Sequence, residues 1–401
     1  MKSIVQNVSS RSGEPFTADI KSQINRAANA SLFIFAVSAV ALPVCLVNVS
    51  QEFGFSLTQA GSLGFISAIE QFAILIFSGF IAARFGKIRV LKTSLLILAL
   101  GLLLFTQIST YVMAIAIIMI IGTGSAFLEA LLTPLVEDLY PDDDGSKQNK
   151  LHAFWPIGVL VSTLTAGELL SRGVSWRWIF AGIAMGTIVV YLFYPGNKKT
   201  QLPKTKVDFS QFKDIINQPK FFMMGQALFF AGGAEGAITF WLASYIQLNM
   251  GGLPRAGGIG IAVFALGVFL GRLIASQLAK RFKLKQMIQW STFLGIISSF
   301  SFFFVSQILT LYFSVFLSGL MIACLWPSIQ TYTVRILPLD PTFIMVLLSC
   351  FGIMGFSSAT LLMGIIGDAS GLRISFMIVP TYLTFLLLIM FLESKVRFKP
   401  K

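Results

Sequence analysis

Four ionisable residues lie inside long apolar stretches of this 401-residue chain, namely Glu70, Glu129, Glu235 and Arg272. A charge inside hydrocarbon is costly, so residues of this kind usually face a cavity or an opposite charge. Burial favours the neutral form of a carboxyl group, which suits such a glutamate to binding and releasing a proton. These residues therefore predict proton binding and recognition of a polar or charged solute.

Glu129 belongs to a polar stripe. Gly122, Ser125, Glu129 and Thr133 follow one another at intervals of three and four residues, which places them on one face of a helix. We predict that Glu129 is the proton-coupling residue. The alternative is a structural carboxyl group that is paired with an arginine or a hydroxyl group.

Glu235 shares a second helix face with Thr239, and Trp241 lies beside it. An aromatic ring next to hydrogen-bonding groups suits a sugar or polyol, because the ring stacks on C–H bonds while the polar groups bind hydroxyls. For Trp326, which is followed one turn later by Gln330, helix packing explains the residue equally well. The predicted substrate-binding residues are Ser38, Asn48, Glu129, Glu235, Trp241, Trp326 and Gln330.

Arg272 requires an anion if it is to be tolerated inside an apolar stretch. Glu235, Glu70 and the carboxylate of a substrate are the candidates, and the sequence does not choose between them. For Glu70, gating and helix pairing are alternatives to substrate contact. For His152, the one histidine of the chain, a structural role near the membrane surface is favoured over proton shuttling.

Twelve apolar stretches carry these residues. Hydrophobic residues make up 56% of the chain and charged residues 12%, about half the charged fraction of a soluble protein. Each stretch is close to the roughly 20 residues that a spanning helix needs, and the stretches are too long and too uniformly apolar for barrel strands. We predict an all-α membrane protein with twelve transmembrane helices. The stretches are 31–49, 63–82, 91–108, 111–136, 151–170, 176–194, 221–245, 257–278, 287–305, 309–333, 343–366 and 374–392.

The net charge of +13 is unevenly distributed. If the N-terminus is cytoplasmic, 25 of the 30 lysines and arginines fall in the tails and loops on the cytoplasmic side. This is the positive-inside bias of membrane proteins. We therefore predict a multi-pass protein of the plasma membrane, the inner membrane of a bacterium, with both termini in the cytoplasm. The charge does not indicate a nucleic-acid partner.

The chain also repeats itself faintly. Three blocks recur after 197 residues, and a fourth block around Gly61 recurs after 196 residues, at Gly257. A duplicated membrane protein usually holds its substrate between its halves. The predicted organisation is a cytoplasmic tail (1–30), a six-helix bundle (31–194), a cytoplasmic linker (195–219), a second, pseudo-symmetric six-helix bundle (220–393) and a cytoplasmic tail (394–401). The offset of 197 pairs Gly122 with Gly319, Arg84 with Arg281, Gly158 with Gly355, Thr163 with Thr360, Glu129 with Trp326 and Ser38 with Glu235.

A loop signature and the twelve stretches together suggest a family. Residues 79–89, from Gly79 through Arg84 and Gly86 to Arg89, resemble the Gly-x-x-x-Asp-Arg-x-Gly-Arg/Lys signature of the major facilitator superfamily. Ala83 stands where that signature has an aspartate, and the copy around Arg281 is more degenerate. The resemblance implies a transporter with six plus six helices. We expect gating or charge-pairing roles for Glu70, Arg84, Arg272 and Arg281.

Within that superfamily, residues 127–134, 151–158 and 233–245 look like the fucose–proton symporter and glucose/galactose carrier branch. The resemblance implies a glutamate in the fourth span and an aspartate in the first that serve proton coupling and sugar binding. Glu129 matches the former, whereas the first span has no acidic residue. We expect substrate and coupling to differ from those of the founding members.

These observations predict a secondary transporter that takes up a small polyhydroxylated solute by alternating access, coupled to a proton or to sodium. A carrier of organic anions with Arg272 as counter-charge is one alternative, and a non-transporting membrane sensor is another. The expected partners are the solute, the coupling ion and the lipid bilayer, with the protein a monomer. We expect no enzymatic activity, cofactor or metal, because the sequence shows no cofactor loop, metal cluster or nucleophile–base set.

Overall fold

The structure is a computed structural model that describes residues 17–141, 146–196, 212–339 and 341–395. The regular secondary structure of these ranges is helical throughout. The α-helices are α1 (Ala18–Phe53), α2 (Leu57–Phe85), α3 (Lys87–Phe105), α4 (Tyr111–Leu139), α5 (Ser146–Ser171), α6 (Trp176–Phe193), α7 (Phe212–Ile216), α8 (Pro219–Met250), α9 (Pro254–Leu278), α10 (Leu284–Phe300), α11 (Ile308–Ile322), α12 (Leu325–Ile336), α13 (Pro341–Ser370), α14 (Leu372–Ser375) and α15 (Ile378–Leu392).

Helical segments occupy all twelve predicted spans. Eleven are long and apolar enough to cross a membrane, with α11–α12 and α14–α15 each forming one span. The ninth, α10, has 17 residues and continues into a 3₁₀ turn at Ser301–Phe303. Two spans are interrupted because Pro327 and Pro380 offer no N–H to the carbonyl four residues earlier. The prediction of an all-α membrane protein is confirmed.

Two helices form the centres of two bundles. In the apolar 18-residue stretch of α1, 83% of the residues are buried, and in that of α8 78% are buried. The corresponding share for α2 is 17%. In the first bundle α1 packs on α5 and α6, and in the second α8 packs on α13 and α15. The first helix begins at Ala18, well before the predicted boundary at residue 31. Residues 1–16, 197–211 and 396–401, in the predicted tails and linker, lie outside the described ranges.

The bundles have two ends, which differ in how they are joined. We call the end at which α1 begins and α15 finishes the terminal end, and the opposite end the closed end. The bundles meet mainly along two seams, α2 with α13 and α5 with α9, and α1 also contacts α8. Among the described residues, the hydrogen bonds and ion pairs that join the two bundles all lie at the closed end, for example between Arg255 and Glu168 at 3.6 Å.

The repeat is visible in these two seams. At one, Gly61 of α2 lies against the backbone of Thr360 of α13; at the other, Gly258 of α9 lies against the backbone of Thr163 of α5. A Cβ atom at either glycine would overlap the facing carbonyl oxygen, so only glycine allows this approach. Gly258 follows Gly61 by 197 residues, as Thr360 follows Thr163. The assignment of Gly61 to Gly257 at an offset of 196 was therefore wrong by one residue.

Candidate functional site

The centre of α8 opens on one side only. Between residues 231 and 246 every side chain is buried except Glu235 and Thr239, which lie one turn apart and are partly exposed. Helices of its own bundle and α1 of the other bundle pack on α8, and we infer that Glu235 and Thr239 face the space between the bundles. Ala39, near the middle of α1, is exposed in the same way. The carboxylate of Glu235 has no hydrogen-bond or salt-bridge partner within the described ranges.

We infer that Glu129 faces the same space from α4. Its side chain is exposed, whereas Gly122 and Ser125, which precede it on the same face, are buried. The face therefore passes from a packed region near the closed end to an accessible region nearer the terminal end. Among described residues, no side chain donates a hydrogen bond to the Glu129 carboxylate or forms a salt bridge with it. The described residues therefore do not supply the arginine or hydroxyl partner of the alternative.

One turn beyond Glu129, Thr133 connects α4 to α5. Its hydroxyl lies 3.1 Å from Nε2 of His152, and its carbonyl accepts a hydrogen bond of 2.9 Å from the amide of Gln148. His152 is exposed on α5. Thr133 and His152 each lie six residues from the terminal end of their helices, so they are at similar depth. His152 was expected to be structural, and its ring is exposed beside Thr133.

Arg272 approaches this pair from the other bundle. Its guanidinium is exposed, and its charge acts on the ring of His152. Within the described parts of the chain, no carboxylate lies within salt-bridge distance of Arg272. The structure therefore does not pair Arg272 with Glu70 or Glu235, which leaves the substrate as the third candidate of the sequence analysis.

Glu70 serves a different contact. One of its carboxylate oxygens accepts a hydrogen bond from the hydroxyl of Thr123, and the other lies against Gly122. This contact joins α2 to α4 within the first bundle. It corresponds to the helix-pairing alternative rather than to substrate contact.

Three predicted substrate-binding residues lie away from the open space. Trp241 is fully buried, and its indole N–H donates a hydrogen bond of 2.9 Å to the carbonyl of Thr360. It borders a separate cavity of about 190 Å³ at the closed end. Ser38 is buried and donates to the carbonyl of Phe35, and Asn48 is half-buried five residues from the closed end of α1. Their contacts are those of packing residues.

Trp326 and Gln330 lie on α12. In the repeat, this helix corresponds to the part of α4 that carries Glu129. The Trp326 ring is half-buried and packs on Gly352 of α13. The side-chain amide of Gln330 donates to the hydroxyl of Ser349 at 2.9 Å and to the carbonyl of Met345 at 3.3 Å. Both residues remain partly exposed, so they retain free surface toward a solute.

Arg84 and Arg281 are exposed near the terminal ends of α2 and α9. Arg84 lies over the ring of Phe85, with 5.4 Å between the guanidinium carbon and the ring centroid. Neither arginine forms a salt bridge with a described acid. Also within the described ranges, no three side chains of the metal-ligating types come together.

The sequence analysis missed a pair of caps at the closed end. Asp368 of α13 accepts hydrogen bonds of 2.9 and 2.8 Å from the backbone N–H groups of Leu57 and Thr58, at the start of α2. The hydroxyl of Ser171 in α5 accepts a hydrogen bond of 2.8 Å from the backbone N–H of Arg255, at the start of α9. Asp368 follows Ser171 by 197 residues, so the repeat offset was the signal that could have found them.

Comparisons with known proteins agree with this architecture. The sequence profile of the Major Facilitator Superfamily matches residues 27–309 and 254–401. A cis,cis-muconate transport protein from Acinetobacter baylyi is 25% identical over 273 residues, which cover 63% of this chain. The match spans 65% of the length of that relative, or just under two thirds.

Two solved structures share the fold. A bacterial homologue of the human lysosomal transporter Spinster, in an inward-facing and occupied conformation, superimposes with a TM-score of 0.81 at 15% identity. The match covers 96% of this chain and all of that one. The fucose:proton symporter of E. coli superimposes with a TM-score of 0.64 at 17% identity, covering 94% of this chain and 99% of the other. At these identities the similarity shows the fold.

Proposed function

Because this chain belongs to the Major Facilitator Superfamily, we propose that it moves a small polar solute across the membrane by alternating access, coupled to protons through Glu129. The observation that carries the proposal is the position of Glu129. Its carboxylate is exposed, without a partner among described residues, and the described hydrogen bonds and ion pairs that join the two bundles lie at one end. In this mechanism the bundles rock about a site near the middle of the membrane.

The charge distribution supplies the orientation. The terminal end carries the tails and loops that hold 25 of the 30 basic residues, which favours a cytoplasmic location for that end. The structure then corresponds to an inward-facing conformation of a protein in the plasma membrane. Its closed end, with the caps from Asp368 and Ser171, would be the outer gate.

Proton coupling requires that the proton affinity of Glu129 differ between the two conformations, since coupling is a difference in binding free energy. In the inward-facing conformation the exposed Glu129 would be accessible from the terminal end. Rocking of the bundles would close that path and open the other. A carboxyl group without a fixed partner suits this role, because no salt bridge has to break when the proton is exchanged.

The direct test compares Glu129→Gln with the unaltered protein in proteoliposomes. A panel of sugars, polyols and carboxylates is added, and solute-driven proton movement is followed with a trapped pH-sensitive dye. For the solute that gives a signal, we expect Glu129→Gln to keep solute exchange but to lose accumulation against a gradient. Glu137→Gln, an exposed carboxylate two turns further along α4, is the matched control. Unchanged accumulation in Glu129→Gln would rule out the coupling role.

Two classes of solute remain candidates. Trp326 and Gln330 favour the sugar-like solute that the sequence suggested, although Gln330 already donates to Ser349. The muconate transport protein favours an organic anion, as does Arg272 with no described carboxylate beside it. Reconstituted flux of any panel member would also exclude a non-transporting sensor. A monomer remains our expectation for the oligomeric state.

A further inference from the structure

The α5–α9 seam carries a basic residue on the face that joins the two bundles. Arg272 follows Gly258 by fourteen residues, and His152 precedes Thr163 by eleven. At about 100° per residue, each residue returns to within about 40° of the face on which Gly258 and Thr163 touch. Arg272 and His152 therefore face each other across the same seam, nearer the terminal end, where both side chains are exposed.

The other seam lacks this feature. The repeat places Leu75 of α2 and Ser349 of α13 at the positions equivalent to Arg272 and His152. Ser349 is occupied by its hydrogen bond from Gln330, and Leu75 carries no charge. The fold alone does not call for a cation at this depth, because the equivalent seam forms without one. Arg272 is thus a feature of the second bundle alone. A charge inside the membrane costs free energy, which the binding of an anionic ligand would offset.

We propose that the solute is a small organic anion whose carboxylate binds between Arg272 of the second bundle and the His152–Thr133 pair of the first. This inference rests on the proposed carrier function and specifies its substrate class. A guanidinium binds a carboxylate through two parallel hydrogen bonds, and the imidazole and hydroxyl supply groups on the opposite side. The anion itself then joins the bundles at the terminal end, away from the hydrogen bonds and the ion pair that link described residues of the two bundles at the closed end.

The position of Glu129 couples anion binding at this site to the protonation of Glu129. Glu129 lies one turn from Thr133 on the same face of α4, so a bound carboxylate and an ionised Glu129 would repel each other. The anion therefore binds best when Glu129 is protonated, and by reciprocity the anion increases proton binding at Glu129. One proton accompanies each monocarboxylate, and their combined transport moves no net charge.

The test uses full-length protein in lipid nanodiscs and three acids, succinate, adipate and benzoate, each with the amide of the same skeleton. We expect thermal stabilisation by at least one acid and at least tenfold weaker binding of its amide. Arg272→Gln should weaken binding of the acid at least tenfold, with Arg272→Lys in between. Arg335→Gln, which removes an exposed arginine near the terminal end of α12, should bind as the unaltered protein does.

A second measurement follows the distance between the two bundles at the terminal end, which the bound anion should shorten. Spin labels at Arg89→Cys and Lys283→Cys, exposed residues near the terminal end of the two bundles, should move closer on addition of the acid. In Arg272→Gln the acid should leave the distance unchanged. A purely structural role for Arg272 would alter stability without removing the preference for acid over amide.

Several outcomes overturn the anion site. These are an amide that binds as tightly as its acid, an Arg272→Gln variant that folds and binds the acid normally, or no stabilisation by any acid. The comparison of acid with amide needs no variant, so a misfolded substitution does not prevent the test. If neutral solutes move with protons while the acids neither bind nor move, the anion site fails and the proposed carrier stands. If no solute moves with protons, the carrier proposal fails as well.

Discussion

The closed end and the terminal end of this protein use polar groups in opposite ways. At the closed end, polar groups join one bundle to the other, through Asp368, Ser171 and the Arg255–Glu168 pair. At the terminal end, the described ion pairs stay within a bundle, such as Lys87 with Asp138 at 2.7 Å and Glu393 with Lys220 at 2.8 Å. The difference shows which contacts must break when the protein changes conformation, because only those between bundles oppose the rocking motion.

The two seams of the closed end also differ from each other. A carboxylate caps α2 with two hydrogen bonds, whereas a hydroxyl caps α9 with one. A negative charge at a helix N-terminus interacts favourably with the helix dipole. A neutral hydroxyl interacts with the dipole more weakly. We therefore expect the α2–α13 seam to contribute more than the α5–α9 seam to keeping this end closed.

The largest effect is expected from Gly258→Ala. The new Cβ would overlap the carbonyl oxygen of Thr163, and a backbone contact cannot move aside as a flexible side chain can. The closed end should separate and the opposite conformation should become dominant. Spin labels at Val112→Cys and Leu309→Cys, highly exposed residues at the closed end of the two bundles, would report a longer distance.

Gly182→Ala is the matched control, because a Cβ atom at Gly182 of α6 would meet no atom within 4 Å. This substitution should leave the distance between the labels unchanged. An unchanged distance in Gly258→Ala would show that the seam relaxes easily and that the contact does not hold the end closed.

A smaller effect is expected from Asp368→Asn. Loss of the charge weakens two hydrogen bonds to the N-terminus of α2 and should reduce the preference for the closed end by about 1–2 kcal/mol, or about five- to thirtyfold in population. Ser171→Ala should cost about 0.5–1 kcal/mol, because it removes one neutral hydrogen bond. The same label pair measures both, and a larger effect for Ser171→Ala would reverse the order of the two seams.

The smallest effect is expected from Lys87→Gln at the terminal end. It removes the ion pair with Asp138, which is partly screened by solvent, and should lower thermal stability by about 1 kcal/mol or less. Because α3 and α4 belong to the same bundle, the distance between the labels at the closed end should not change. A shift in that distance would contradict the division between contacts within and between bundles.

Much of the fold could be predicted because it depends on local patterns. Span length follows from the thickness of the hydrocarbon layer, and the repeat offset placed Gly158 and Thr163 correctly relative to Gly355 and Thr360. The register error at Gly61 arose because glycines are frequent at close helix contacts, so Gly257 and Gly258 match equally well in the sequence. Only the contact with Thr163 distinguishes them.

The site could be predicted less well because the environment of a side chain depends on its neighbours in space. Glu70 and Glu129 both lie inside apolar helices, yet one binds Thr123 and the other has no partner among described residues. Trp241 has the right residue type for stacking on a solute but is enclosed by helices. Asp368 was not considered, because its role depends on a helix N-terminus more than 300 residues away in the sequence.

The central claim is that the space around Glu129 opens to the terminal end while the other end is closed. The most direct measurement is the labelling of Glu129→Cys by a membrane-impermeant thiol reagent, added separately to each side of oriented vesicles. The native cysteines Cys45, Cys324 and Cys350 are buried and should react little. The account predicts labelling from the terminal side, and a shift toward the other side when Gly258→Ala is added. Equal protection from both sides would contradict it.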